Sequence, residues 1–281
     1  MKIIMSLAFF IYSANILAVN FKVMSFNTMC DICSGSSYSG YSERQKVMQQ
    51  IIKQNDPDLI SFQEFRSKSH VEHVLNSVPD YSIQVKEGLL YSFADPAIAY
   101  KKSIFSKVDS GSFWLGPREG GFSFGWKFAV PRQVQWVKLV HKKSKKEFVF
   151  VSSHIDNRIE NLTGSAAVIA NFIKAQSVPV IFAADTNMTV AMPEYKKLTL
   201  NTFGNAFDMK WAFSVLGKYK SGKDLCYSRK GSKFPSCRVD HILLHPKDRF
   251  KVKHFIIDTM QLSDGKFPSD HRPVIVSIIL D

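Results

Sequence analysis

Six short clusters of acid, amide and imidazole residues are spread along the chain. They are Asn27, Gln63-Glu64, His154-Ile155-Asp156-Asn157, Asp185-Thr186-Asn187, Asp240-His241 and Ser269-Asp270-His271-Arg272-Pro273. Asn27, Glu64, Asp185, Asn187 and Asp270 offer hard oxygen donors with no thiolate among them, a set that suits Mg²⁺, Mn²⁺ or Ca²⁺ better than zinc. His154 and His271 titrate near neutrality by type, so each can move a proton or hydrogen-bond a phosphoryl oxygen. Phosphoester hydrolysis needs these parts together: a metal to polarise the phosphoryl group, a base to take a proton from water, and donors for the developing charge. Taken singly, an Asn after a strand is usually a turn residue and an Asp-His pair usually a surface feature. The set carries the reading.

The elements between these clusters must bring them to one place. Residues 21–26 alternate and read as a strand, 43–54 carry Val47, Ile51 and Ile52 at helical spacing, and 59–62 form an apolar run of strand length. A second helix is expected over 71–78, strands over 82–85, 97–100, 108–113, 134–140 and 148–153, and a third helix over 161–175. Strands are expected again over 179–182, 238–244, 251–257 and 274–279. Most clusters then sit at strand C-terminal ends, where α/β folds place their sites. Asp240-His241 falls inside a strand, and the 269–273 cluster opens the last one. There are too many strands for a plain βαβ repeat and too many helices for an all-β sandwich, so packed sheets with helices outside fit best. Phe occurs 23 times in 281 residues, mostly in strand runs, and reads as core rather than as a surface for stacking bases.

A composition of 45% hydrophobic and 22% charged residues excludes collagen, coiled coil and wholesale disorder, and the length suits one large domain or two small ones. Residues 1–18 have the shape of a secretory signal: Lys2, an apolar stretch over 3–11, and Ala18 before the expected cut. The competing reading, a transmembrane anchor, is weakened by Tyr12, Ser13 and Asn15. Residues 19–281 are then a single domain, secreted or periplasmic, with no anchor. Four cysteines agree with export; Cys226 with Cys237 is the favoured pair, leaving Cys30 and Cys33 as a tight Cys-x-x-Cys loop. A zinc site lacks a His at finger spacing, and a redox motif would open a helix where Ser34-Gly35-Ser36-Ser37 reads as loop. Lys+Arg of 37 against Asp+Glu of 24 leaves +13, which attracts nucleic acid, phosphorylated metabolites or anionic lipid. Many secreted proteins are basic without such a partner.

In this order the motifs resemble the endonuclease/exonuclease/phosphatase superfamily, with its DNase I-like fold, across residues 21–279. The resemblance implies an α/β (α+β), four-layer sandwich of two packed mixed β-sheets flanked by helices. It implies Mg²⁺, with Mn²⁺ or Ca²⁺ as alternatives, on Glu64 with Asn27 and Asp270. Asp185 and Asn187 resemble the pair that touches the scissile phosphate and positions water; His271 resembles the general base kept basic by Asp240; His154 resembles the imidazole facing the phosphate from the other side. Arg132 stands where a phosphate-contacting arginine would, against the alternative of a surface arginine. Two departures stand out. The usual Gly-Asp-Phe-Asn reads Ala184-Asp185-Thr186-Asn187, and the Glu that would orient His154 is replaced in this neighbourhood by Asp95, followed by Pro96. The stretch Gly111-Ser112-Phe113-Trp114-Leu115-Gly116-Pro117 resembles a Phe-Trp-Leu element of a bacterial branch of the superfamily.

The implied function is a secreted, divalent-metal-dependent phosphodiesterase, a nuclease with DNA as favoured substrate, acting as a monomer. The alternative keeps the chemistry on a phospholipid or inositol phosphate, in the manner of a sphingomyelinase. A third reading is a non-catalytic polyanion-binding protein, and retention of every expected metal and His position argues against it. The loops over 31–42, 118–131 and 217–235, where specificity would reside, carry no readable code.

Overall fold

A computed structural model describes residues 19–33, 37–86, 95–118, 120–200, 203–205 and 238–281. The apolar alternation of the first segment forms β1 (Val19–Asn27), whose second half is buried on both faces. It is followed by α1 (Tyr41–Asn55), β2 (Leu59–Gln63), α2 (Lys68–Leu75), β3 (Tyr81–Gln84), β4 (Ala97–Lys101) and β5 (Phe105–Leu115). The chain continues through β6 (Arg132–His141), β7 (Glu147–His154), α3 (Ile159–Lys174), β8 (Val180–Asp185), α4 (Pro193–Thr199) and β9 (Gly204–Asn205). Strands β10 (Asp240–His245), β11 (Phe250–Ile257) and β12 (Val274–Leu280) complete it.

The strands form two mixed sheets of six, ordered β11-β12-β1-β2-β4-β3 and β5-β6-β7-β8-β10-β9. Each sheet holds one parallel pair, β1 with β2 and β7 with β8, crossed over by α1 and α3 respectively. The remaining pairings are antiparallel. Phe21, Val23, Leu59, Phe148, Phe150 and Val276 pack between the sheets, with the Phe21 ring stacked 5.2 Å from Phe148. A fully buried Phe contributes about 2–3 kcal/mol relative to exposure. On the outer faces, Met24 and Phe26 meet Met48 and Ile51 of α1, while Val149 and Val151 meet Leu162 and Ile169 of α3. Helix, sheet, sheet, helix is the expected four-layer sandwich.

This topology explains why the site gathers at one edge. The C-terminal ends of β1, β2, β7 and β8 share that edge, and β10 and β12 run antiparallel to β8 and β1, so their beginnings reach it too. Asp240 therefore opens β10, opposite Asp185, rather than lying inside a strand that begins at 238. Helix α2 begins earlier than the 71–78 expected, because Ser67 caps it by accepting the His70 N–H. Helix α4 was not expected, although Pro193 in its first turn is a start signal. Phe21, Phe26, Phe62, Phe105, Phe148, Phe150, Phe182, Phe250 and Phe255 are buried strand residues, as expected of core, whereas Phe122, Phe124 and Phe128 lie in the segment between β5 and β6. Cys30 and Cys33 form a disulfide. The expected signal at 1–18, the Cys226–Cys237 pair and the 217–235 loop lie outside the described residues.

Candidate active site

Strand β1 ends in Asn27, whose Oδ1 accepts the Met29 N–H at 3.0 Å. That turns its amide nitrogen toward two acids, donating to Glu64 Oε1 at 2.9 Å and Asp185 Oδ2 at 3.0 Å. Strand β2 leaves its sheet at Glu64, which adopts φ 67°. A left-handed Glu is uncommon and needs support. Asp95 Oδ1 accepts the Glu64 N–H at 3.1 Å, and Glu64 Oε2 accepts the Cys30 N–H at 3.1 Å.

Asp95 does more than hold Glu64. Its carboxylate lies 3.1–3.2 Å from His154 Nδ1 and 2.6 Å from Arg132 Nη1. The shorter acid thus takes the orienting place beside His154, since Pro96 and β4 deliver it directly to the end of β7. Burial works against the Asp95 charge, but His154 and then Arg132 outweigh it, and the carboxyl falls to about 2. Arg132, at the start of β6, is largely buried rather than a free surface arginine.

Strand β8 ends in Asp185. Its Oδ1 accepts the Asn187 N–H at 2.9 Å, an Asx turn that places Asn187 at φ 52°, a conformation Asn tolerates. Asn187 Nδ2 donates to the Ile155 carbonyl at 2.8 Å. Asp185 Oδ2 faces both imidazoles, 3.4 Å from His154 Nε2 and 3.6 Å from His271 Nε2. On its other nitrogen, His271 Nδ1 lies 2.7 Å from Asp240 Oδ2. Asp95, His154, Asp185, His271 and Asp240 form an alternating acid–imidazole row.

The charges in that row depend on one another. Burial opposes protonation of His271, yet Asp240 and then Asp185 overcome it and push the imidazole up to about 10. His154 is raised as well: burial and Arg132 oppose, and Asp95 and Asp185 prevail. Burial would raise Asp185, but His271 and His154 hold it below the usual carboxylate range. Asp240 is raised, by burial first.

Two features hold the row in register. Ser269 donates to the Asn27 carbonyl at 2.7 Å and accepts the His271 N–H at 3.1 Å, fixing the loop before β12 to the end of β1. Arg44 of α1, fully buried, donates to the carbonyls of Thr28, Met29, Cys30 and Pro268 at 2.8–3.1 Å. Sequence reasoning missed Arg44. Its signal was a charged residue in register with Met48, Ile51 and Ile52 on the apolar face of a helix.

The donor set fits a hard divalent cation. Burial raises the Asp270 carboxyl, and although His271 opposes this, Glu64 and Asp185 raise it further. Partly buried carboxylates that repel one another are relieved by a cation with oxygen preference. Glu64 and Asp270 could hold it. Cys30 and Cys33 lie close to Glu64 but are joined as a disulfide, so neither offers a thiolate. The cluster of Asp185, Asp240 and His271 is already hydrogen-bonded as an acid–base pair.

Comparison with known proteins identifies the family and the fold. A model of the Endonuclease/Exonuclease/phosphatase family matches residues 24–271. Among solved structures, an endonuclease/exonuclease/phosphatase family protein from Bacteroides thetaiotaomicron is 22% identical, with TM-score 0.78 over 94% of this chain and 99% of that one. The mannosyl-6-phosphatase Bt3783 of Bacteroides thetaiotaomicron is also 22% identical, with TM-score 0.75 over 92% and 99%. D. rerio TDP2, complexed with single strand DNA product, is 16% identical, with TM-score 0.65 over 92% and 98%. At such identities the likeness establishes the fold. No curated protein matches the chain by sequence. The extent of the family match, nearly the whole described chain, means that the protein belongs to the Endonuclease/Exonuclease/phosphatase family of phosphoester hydrolases.

Proposed function

We propose that the chain is a divalent-metal-dependent phosphodiesterase acting on nucleic acid, DNA foremost, exported by residues 1–18 with 19–281 as its catalytic domain. The observation that carries the chemistry is the row in which two imidazoles, each backed by its own acid, face Asp185 Oδ2. The net charge of +13 supports a polyanionic substrate. The Cys30–Cys33 disulfide supports export.

In this reading Asp240 keeps a proton on His271 Nδ1, and Nε2, freed when a cation beside Asp270 offsets the acids that hold the imidazole protonated, takes a proton from the attacking water. Asp95 orients His154 in the same way, and its Nε2 donates to a phosphoryl oxygen. Asn187, fixed by the Asx turn and by Ile155, helps position water and substrate, and Arg132 adds positive charge beside the cleft. Asn27 holds Glu64 and Asp185 in fixed relation. Glu64 and Asp270 would hold the cation, whose chemistry there would be neutralisation of phosphoryl charge and stabilisation of the leaving alkoxide.

The test is incubation of plasmid DNA with purified protein in Mg²⁺ or EDTA, beside phospholipid vesicles and mannose 6-phosphate. Nicking that requires Mg²⁺ is expected. Intact plasmid at low salt, with turnover of either other substrate, would overturn the nuclease reading.

A further inference from the structure

The Phe-Trp-Leu stretch plays no part in the acid–imidazole row, and the structure gives it a different place. Phe113 and Trp114, at the end of β5, form one wall of a cavity of about 730 Å³. Trp126, from the segment between β5 and β6, and Phe172 of α3 supply further walls, and Asn171 brings an amide to the lining. This volume lies within the usual range for ligand pockets. Trp126 is held against the helix backbone: a Cβ on Gly164 would come within 2.3 Å of its ring, so only glycine allows the approach. The same segment is tied down by Asn161, which accepts the Lys127 N–H at 2.8 Å and donates to the Lys127 carbonyl at 2.9 Å.

Outside the cavity the aromatic surface continues. Phe122 sits edge-on to Trp114 at 4.9 Å and to Phe124 at 5.2 Å, and Phe124 stacks on Phe128 at 4.9 Å. Phe128 is 77% exposed. Together with half-exposed Phe122 and the Phe124 ring between them it forms a contiguous aromatic patch, and such patches mark interaction sites. Four residues further on, the chain enters β6 at Arg132, which is bonded to the Asp95 that orients His154. The platform is therefore close in the chain to the rim of the catalytic cleft.

We propose that this cavity and its aromatic extension form a subsite for unpaired bases, so that the substrate is engaged as a single strand. The inference rests on the nuclease reading and deepens it. Aromatic faces stack bases of any sequence, and an amide can pair with a base edge. In a duplex those faces are already stacked and hidden. Exposed Arg118 follows the lining residue Pro117, and Lys127 and Arg158, paired with Glu160 and Asp156, lie within the segment and just before α3, so phosphates between the bases meet positive charge. That charge favours a polynucleotide over a neutral sugar or an uncharged apolar ligand.

Trp114 and Trp126 make the subsite self-reporting, because a base stacked on indole quenches its emission. Oligo(dT) and a duplex of equal length are titrated in EDTA, so that binding is read without cleavage. Saturable quenching by the single strand is expected, with at least about tenfold weaker binding of the duplex. Loss of one stacked base weakens binding about ten- to a hundredfold. Phe128→Ala and Trp114→Leu should each weaken oligo(dT) by that factor, whereas Ile256→Ala, on β11, should leave it unchanged. Thermal unfolding midpoints identify a variant that has failed to fold, and Phe128→Ala, at a solvent-exposed ring, then carries the test. Equal affinity for duplex and single strand, absence of quenching, or unaltered binding by Phe128→Ala overturns the subsite while leaving the nuclease reading intact. Quenching by mannose 6-phosphate or by anionic vesicles in preference to oligo(dT) overturns it in favour of a sugar or lipid ligand. Failure of the nuclease reading shows separately, as single-stranded and plasmid DNA that both stay intact in Mg²⁺.

Discussion

His154 and His271 approach one oxygen, Asp185 Oδ2, through their Nε2 atoms at 3.4 and 3.6 Å. They reach it from different sheets: β7 delivers His154 beside β8, and the loop before β12 delivers His271 from the facing layer. The site is thus a joint between the two sheets, and its electrostatics centre on one buried carboxylate.

Asp185→Asn keeps an acceptor for the Asn187 N–H but removes the charge that both imidazoles face. Hydrolysis of bis(4-nitrophenyl) phosphate should slow by about 10²–10⁴-fold, the usual weight of positioned acid–base groups. A rate within twofold of wild type would remove Asp185 from the mechanism.

Asp95 joins His154, Arg132 and the Glu64 backbone. Asp95→Ala leaves two largely buried cationic groups without their partner, and the expected loss is about 3 kcal/mol of stability together with most of the activity. Asp95→Asn keeps an acceptor and should lose less stability than activity. Urea denaturation and initial rates on the two variants separate these effects; equal losses in both would reduce Asp95 to a structural role.

Arg44 satisfies four carbonyls from the loops that carry Asn27 and His271. Arg44→Met should cost about 3 kcal/mol or more, because the carbonyls lose a charged donor while still buried. Arg44→Lys, a point charge without the fork, should recover only part of it. A urea midpoint unchanged in Arg44→Met would contradict this.

His241 is buried, with Nε2 2.9 Å from the Met188 carbonyl and Nδ1 3.1 Å from Asn205 Nδ2. Burial, and after it Arg238, lowers its pKa to about 3. The unfolded chain takes up this proton near pH 6.5 and the folded chain does not, so the stability from neutral His241 is complete above that pH. It is lost as pH falls from about 6.5 to 3, at about 1.4 kcal/mol per unit. His241→Gln should flatten that part of the stability profile. Parallel profiles for wild type and variant, from urea midpoints between pH 7 and 4, would show that His241 does not supply the slope.

Much of the fold was legible because its strands obey a simple period. The runs read at 59–62, 97–100 and 274–279 fall within a residue of β2, β4 and β12. The site was legible as an ordered set of motifs, since each lies at a strand terminus and sheet pairing does the rest. What stayed hidden depends on contacts distant in sequence. Asp95 was legible as the replacement for the orienting Glu, but its contact with His154 depends on β4 beginning at the edge where β7 ends, and Arg44 looks like one more polar residue until its carbonyl partners fold around it. The aromatic rings between β5 and β6 were hidden for another reason: a count of Phe carries no information about which rings are left facing water.

Single-turnover cleavage of plasmid DNA in Mg²⁺ by wild type, His154→Ala, His271→Ala and the double variant tests the central claim most directly. The shared carboxylate requires that each single variant lose at least about 10²-fold and that the double lose less than the product of the two, because the row acts as a unit. Wild-type cleavage by His271→Ala, or strictly multiplicative losses in the double variant, would contradict a site built around Asp185.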